Sequence, residues 1–455
     1  MKKGIIFLLL SVCAGSVYAQ SLSASGNGNS DVLVIDEQTV ETKIYTSFNY
    51  RAAMIQHKID QRDARFWSFL IPTASFTAAQ SIGDKAFTNT YGGSPAAGQG
   101  KWVSNLNLGA DLNVSLSNII NIPIIIDQYQ NNELTYEQTR TQIINNAKTT
   151  FYTLIASRQQ LTVLQSSVNA ALSAYNQARA SYSSGLVDRV TMLNAQYQYQ
   201  SMLNTLNTAR TGYESGLLQF KQLLGIPLEQ TVELQGNIEV LPIQFYGDKM
   251  AADYLDEALD VKIEENKKSS AFMTQFLRVS NIINPFVGMS YDWNRTKIGG
   301  GSALFTDAAA LNLGISVNLS YSLLKDMPSV VEGYALQKEA VVEKRKTVQI
   351  DIINYANQLN DLQGAIRIAE QNVLINRESL TLTQTAYRQG LKTFTELQDA
   401  ITNAQDAEVA LLQSKLDYLT ALLNLSAVIG IEPSVLLQQA QQYNNSLAAA
   451  QAANQ

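Results

Sequence analysis

Residues 182–191, Y-S-S-G-L-V-D-R-V-T, and residues 387–396, Y-R-Q-G-L-K-T-F-T-E, carry one kind of turn twice, 205 positions apart from Gly185 to Gly390. Upstream of the first, apolar side chains recur every seventh position: Ala147, Leu154, Leu161, Val168, Tyr175, Tyr182. Upstream of the second they are Ile352, Leu359, Ile366, Val373, Leu380, Tyr387, each 205 further on. The returning segments keep the spacing, with Met192, Tyr199, Leu206, Tyr213, Phe220 against Leu397, Ala404, Leu411, Tyr418, Leu425, and both stop at Gly-Ile, 225–226 and 430–431. A spacing of seven held over so many turns keeps one stripe of a helix facing a partner and imposes a left-handed supercoil. Coiled-coil hairpins are therefore expected over 124–225 and 329–430. Their recurrence at one offset predicts an internal duplication, a pseudo-symmetric architecture of two like halves, 20–249 and 250–437.

Ahead of each hairpin the period changes from seven to two. Leu106, Leu108, Ala110, Leu112, Val114 and Leu116 alternate with Asn107, Gly109, Asp111, Asn113 and Ser115. In the second half Leu311, Leu313, Ile315, Val317, Leu319 and Tyr321 alternate with Asn312, Gly314, Ser316, Asn318 and Ser320. Such alternation predicts strands with one apolar and one wet face. Weaker partners precede them, with Ala74, Phe76 and Ala78 on one face of the first, and Val287, Met289, Tyr291 and Trp293 on one face of the second. Gly-rich stretches, Gly83 to Gly100 and Thr296 to Ala309, join each pair as hairpin loops, giving β-hairpins at 72–117 and 285–323. Trp102 and Trp293 flank the loops, and Trp67 and Tyr321 mark the opposite ends, as aromatics do at the two interfaces of a membrane. Strands alone fit a soluble sandwich equally well.

The N-terminus tips the balance. Lys2-Lys3, the apolar run from Ile5, and Val17-Tyr18-Ala19 before Gln20 form a secretory signal expected to end at residue 19. Cys13, the only cysteine of the 455 residues, is read as part of that leader; the alternative, a lipidated cysteine, fits less well because Val12 precedes it and only twelve residues lie upstream, so the mature chain is expected to have no thiol for disulfide or thiolate chemistry. Losing Lys2 and Lys3 from the 33 basic residues leaves 31 against 39 acidic, a net charge of −8 that argues against a nucleic-acid partner. No run of about 20 apolar residues follows the leader, so a membrane would have to be met by strands. Four strands cannot close a barrel, and an open sheet edge in lipid leaves backbone groups unsatisfied. Several chains would have to share one barrel.

The repeated Tyr-x-x-Gly-Leu turn, followed by a coiled coil ending in Gly-Ile, resembles the TolC family of outer-membrane efflux channels. It stands as Tyr182 to Leu186 through Gly225-Ile226, and again as Tyr387 to Leu391 through Gly430-Ile431. Pro72 and Pro285 match the family's strand-entry proline. The resemblance implies a fold of the α+β membrane class, a long coiled-coil helical barrel joined to a transmembrane β-barrel. A homotrimer would supply four strands per chain to twelve in all, set in outer-membrane lipid above a periplasmic tube. Residues 37–68 and 250–281 would stack end to end on the returning helices. Residues 226–249 and the segment after Ile431 would form an equatorial collar. The Ser/Gln/Asn/Ala-rich tail 438–455 is expected to be flexible.

The resemblance also assigns roles. Gly185, Leu186, Gly390 and Leu391 would be periplasmic tips on which an adaptor protein docks. Tyr387 matches the aperture-closing tyrosine, Lys392 takes the position of the family's arginine and Thr191 that of its aspartate. The usual salt bridge is thus not reproduced, although Asp188 and Arg189 lie close by. Glu396 and Asp399 match acidic positions inside the aperture and share one helix face, with a solvated outer face as the alternative. The duct would be passive, opened by the adaptor and an inner-membrane pump. No enzyme chemistry or cofactor is expected. His57 stands alone, and Gly93 to Gly98 has phosphate-loop spacing but Gln99 replaces the lysine. A rival reading is a secreted coiled-coil filament protein with a β-rich insert, which would need no lipid-facing row such as Leu311 to Leu323.

Overall fold

The computed structural model describes residues 32–64, 70–83, 101–298, 302–318 and 321–453. The expected leader, Trp67 and the loop residues 84–100 and 299–301 lie outside them. In chain order the elements are β1 (Leu33–Ile35), α1 (Glu37–Ile44), α2 (Phe48–Asp63), β2 (Thr73–Gly83), β3 (Lys101–Ser115), α3 (Leu116–Ser183) and α4 (Arg189–Leu224). They continue with β4 (Val232–Leu234), α5 (Gly247–Tyr254), α6 (Leu259–Ile282), β5 (Ile283–Ile298), β6 (Leu304–Val317), α7 (Tyr321–Arg388), α8 (Phe394–Ile429) and α9 (Pro433–Ala453). The bounds of α3 and α4 reappear in α7 and α8 at an offset of 205.

Both long helices have 68 residues, about 100 Å at 1.5 Å per residue. They start earlier than the sequence pattern suggests, at Leu116 and Tyr321, and run through Pro123 and Pro328. Leu116 and Tyr321 are therefore helical, not strand ends. Ser115 sets the first boundary: its hydroxyl accepts the Asn118 amide at 3.3 Å, an N-cap that ends the strand. The strands gain at the other end, because β5 continues to Ile298 and shortens the expected Gly-rich loop. The tail also differs from expectation, since α9 carries the helix to Ala453. Pro433 opens it at a position where its missing N–H costs nothing. Tyr443 then packs edge-on to Tyr246 at 5.1 Å, and the Asn444 amide donates to the Gln244 carbonyl at 3.1 Å.

The four long strands form one antiparallel sheet in the order β2-β3-β5-β6. Its register aligns Leu112, Met289 and Leu311 in one row and Val114, Val287 and Leu313 in the next. The opposite face aligns Ser75, Gly109 and Asp292, and Asn113 with Gly288 and Asn312. Glycine at 109 lets Ser75 Oγ and Asp292 close over it, since a Cβ there would lie 2.6 Å from that hydroxyl. Gly314 likewise leaves room for the Phe286 ring, 2.8 Å from where its Cβ would be. On the apolar face Leu313 is 72% and Ile315 67% exposed within one chain. Among the described residues no single helix is long and apolar enough to cross a membrane.

The sevenfold stripes are the helical core. Ala147, Leu154, Val168, Ile352, Leu359, Ile366 and Val373 are all buried. One cluster joins β1, α1 and β4 to α3 and α4 around Phe151 and Phe220, and a second joins α5 and α9 to α7 and α8 around Tyr418 and Leu425. The connecting backbone is clamped at matching heights, with Arg158 donating to the Leu234 and Gly236 carbonyls and Gln363, 205 positions on, donating to the Ile243 carbonyl. A Cβ on Gly225 would meet Ser47 Cα at 3.5 Å, and one on Gly430 would meet Leu259 at 3.4 Å. The starts of α2 and α6 therefore abut the ends of α4 and α8, as pseudo-continuous columns.

Candidate functional site: the hairpin tips

Each tip is a helix ending in a left-handed glycine. Gly185 has φ +74° and Gly390 φ +75°, with open space where a Cβ would go. The Gly185 and Leu186 amides donate to the carbonyls of Tyr182 (3.0 Å) and Ser181 (2.8 Å). Gly390 and Leu391 repeat this on Tyr387 (3.0 Å) and Ala386 (2.9 Å). This paired arrangement closes a helix end and normally folds the residue after the glycine back onto the helix. Here that residue finds only Ser181 or Ala386. Leu186 is 78% and Leu391 73% exposed.

The returning helices restart differently. Asp188 caps α4, its Oδ1 accepting the Thr191 amide at 2.9 Å. The hydroxyl and amide of Thr191 hold the Asp188 carboxyl below its usual range. Thr393 caps α8 in a reciprocal box, accepting the Glu396 amide at 3.3 Å while its own amide donates to Glu396 Oε2 at 2.8 Å. Lys392 pairs with the other oxygen of Glu396. Lys392 first, then the Thr393 amide and hydroxyl, bring the Glu396 carboxyl down to about 2.

Within one chain the expected gate residues are thus each occupied locally. Lys392 lies on Glu396 and the Thr191 amide on Asp188. Tyr387 turns inward, edge-on to Phe394 at 6.5 Å, and burial raises its hydroxyl pKa. Its carbonyl accepts the Gln177 side-chain amide at 3.4 Å, tying the first hairpin to the second. Asp399 is exposed one turn above Glu396. The Lys392–Glu396 pair and the cap box were legible as an i,i+4 ion pair and a Thr-x-x-Glu signature. Gln177 has no such signal, because its partner is 210 positions away.

Long hairpins in series with a sheet that is apolar on one face define a class: chains that join a membrane sheet to a helical tube. The match to known proteins is specific. Residues 55–226 and 283–431 match the family model of the outer membrane efflux proteins, and the chain belongs to that family. A stretch of 98 residues is 28% identical to outer membrane protein TolC of Vibrio cholerae, covering 22% of each chain. The outer membrane protein VceC of Vibrio cholerae has the same fold, with a TM-score of 0.70, 15% identity, and coverage of 87% of this chain and 96% of that one. The CmeC outer membrane channel of Campylobacter jejuni gives 0.69 at 14% identity over 89% of this chain and 88% of its own. The chain is an outer-membrane protein.

Proposed function

We propose that three copies of this chain close into a passive duct through the outer membrane, opened from the periplasm by an adaptor and an inner-membrane pump. The observation that carries this is the sheet. Leu311, Leu313, Ile315 and Val317 stand exposed in a row on β6, and among the described residues β2 and β6 are edges with no further strand. In lipid such edges must be paired, and three sheets make twelve strands around the polar face. The helices agree. Phe48, Ile55 and Ile59 on α2, and Val331, Leu336 and Val342 on α7, are exposed apolar side chains on the outermost helices of the upper tube. A solitary filament subunit has no use for the lipid-facing row.

The tips supply the docking and gating parts. Exposed Leu186 and Leu391 contribute nothing to their own chain's core and offer apolar contact to an adaptor. Tyr387, Lys392 and Thr191 flank the aperture, with Lys392 released from Glu396 if the gate recruits it. Asp399, together with Glu396, would place carboxylates of three chains around the mouth, where a low-dielectric wall strengthens their field. Because Lys392 compensates Glu396, Asp399 dominates that ring.

Native mass measurement in detergent should show three chains, and planar bilayers should show a conducting pore. Trivalent cations added from the helical side should block it. Glu396→Ala/Asp399→Ala should abolish the block while leaving pores. A soluble monomer would sink the duct, and persistent block would turn the two carboxylates to the outer face.

A further inference from the structure

The apolar face of the sheet changes character at the end far from the helices. Among the described residues of the four long strands, basic side chains occur only at Lys101, Arg295 and Lys297. The helices join these strands near Thr73, Ser115, Ile283 and Val317, so all three lie at the end turned away from the tube. Alternation puts Arg295 and Lys297 on the face of Met289 and Leu311, the face proposed above to meet lipid. Lys101, by the same count, stands with Asn107 and Gly109 on the polar face.

The surroundings of this pair fit a membrane boundary. Arg295 lies opposite Phe305 on β6 and Leu106 on β3, and Lys297 lies opposite Ser104. The Arg295 guanidinium is 5.8 Å from the centre of the Phe305 ring, which in turn lies 5.9 Å from that of Trp293. Attraction to the ring face holds the cation on the lipid side. Both basic side chains are exposed, and among the described residues neither makes an ion pair or a side-chain hydrogen bond. The same face carries one described carboxylate, Asp307, a row nearer the helices opposite Trp293, and it pairs with neither cation.

Height decides which part of the membrane these side chains meet. From Ile283 to Trp293 is ten residues of β5, about 34 Å of strand. At a tilt of about 40° that stretch rises about 26 Å, close to the ~25 Å apolar band of outer-membrane barrels. Trp293 then marks the outer boundary, and Arg295 and Lys297 stand one and two rows beyond it, among headgroups. About 7 Å apart along one face, the two cations can grip a single anion. Arginine's planar fork matches the oxygens of a phosphate, and lysine adds a point charge. We propose that Arg295 and Lys297 bind the phosphate of an outer-leaflet lipid, with Trp293 and Phe305 packing against the upper part of its acyl chains. Each duct would carry three such sites, fixing the height of its barrel in the membrane.

This proposal rests on the trimeric duct and its lipid-facing side, and the test keeps the two apart. Trimers in neutral detergent, mixed with diphosphoryl lipid A, should retain the lipid in native mass measurement. The same lipid stripped of its phosphates should be retained roughly tenfold less. Inorganic phosphate at equal concentration should not displace it. Arg295→Gln/Lys297→Gln should lower retention to the level of the stripped lipid, with trimer content and conductance unchanged. Asn294→Arg/Arg295→Asn keeps the net charge but moves the guanidinium to the polar face, and it should lose most of the retention as well. Equal retention of the phosphate-free lipid, displacement by free phosphate, or full retention by either variant overturns the site while the duct stands. Failure of the unaltered chain to form conducting trimers removes both.

Discussion

The turn at Gly225 and the turns at Gly185 and Gly390 end helices in the same way, yet the residue that follows meets opposite fates. At the equator the Gly225 and Ile226 amides donate to Gln222 (3.2 Å) and Lys221 (2.8 Å), and Ile226 is 7% exposed among Phe151, Phe220 and β4. At the tips the same backbone leaves Leu186 78% exposed. The fold uses the apolar residue after the glycine in one place and leaves it free in the other. An apolar side chain that its own fold does not bury is available to something else.

The largest effect should separate these positions. Ile226→Asp places an unpaired carboxylate in the equatorial core and should cost about 4 kcal/mol or more, read as loss of folded chain or a collapsed melting temperature. Leu186→Asp/Leu391→Asp should leave melting and trimer content unchanged and abolish transport in cells. Full transport by the double variant would remove the tips as a docking surface. A large fall in its melting temperature would instead return the leucines to the core.

The same contrast can be sharpened in the sheet. Ile315→Arg puts a cation on the apolar face and should cost about 2–4 kcal/mol at the bilayer midplane. Asn312→Arg, on the face that pairs with Gly288, should assemble close to normally. Equal assembly of the two, measured as trimer recovered from membranes, would reverse which face meets lipid.

Smaller still is the backbone term. Gly185→Ala and Gly225→Ala each force a side chain into the left-handed region, costing about 1 kcal/mol. Contacts add little in either case, since the Gly225 Cβ would sit 3.5 Å from Ser47 and the Gly185 Cβ in open space. Similar small shifts in chemical denaturation are expected, with only the Gly185 change weakening transport. A much larger loss at Gly225 would mean that the α4–α2 junction is packed more tightly than its distances say.

The sequence disclosed the hairpins and strands because each carries a period, seven or two, that survives any choice of partner. Leu154, Leu359 and Val373 are buried where that period puts them. It disclosed less where one side chain decides a boundary, as at Ser115, or where a helix runs through proline, as at Pro123. α9 was obscured because Ala, Gln and Ser suit both a helix and a flexible tail, and the ring of Tyr246 that receives Tyr443 is nearly two hundred residues away. At the tips the motif placed Leu186 and Leu391 correctly at the turn. It scattered Lys392 and Glu396 over two separate roles, although the cap at Thr393 brings Lys392, just before α8, onto Glu396 in its first turn.

The smallest expected effect is a titration at the second tip. The Glu396 carboxyl ordinarily titrates near 4.5 and is held at about 2 in the folded tip, by Lys392 first and the Thr393 cap second. A lowered carboxylate stabilises the folded form above its unfolded value, and that contribution disappears as pH falls through the folded one. The α8 cap should therefore be intact from neutral pH to about pH 4, weaken below it, and be lost near pH 2. Carboxyl-labelled NMR of the protein in detergent should show Glu396 titrating well below a free glutamate. Lys392→Met should move its midpoint upward without returning it to the free value, because the Thr393 amide and hydroxyl remain. If Lys392 instead leaves Glu396 to bridge to a neighbouring chain in the closed aperture, the unaltered protein should already titrate as that variant does. The same spectrum thus reports whether Lys392 serves the cap or the gate.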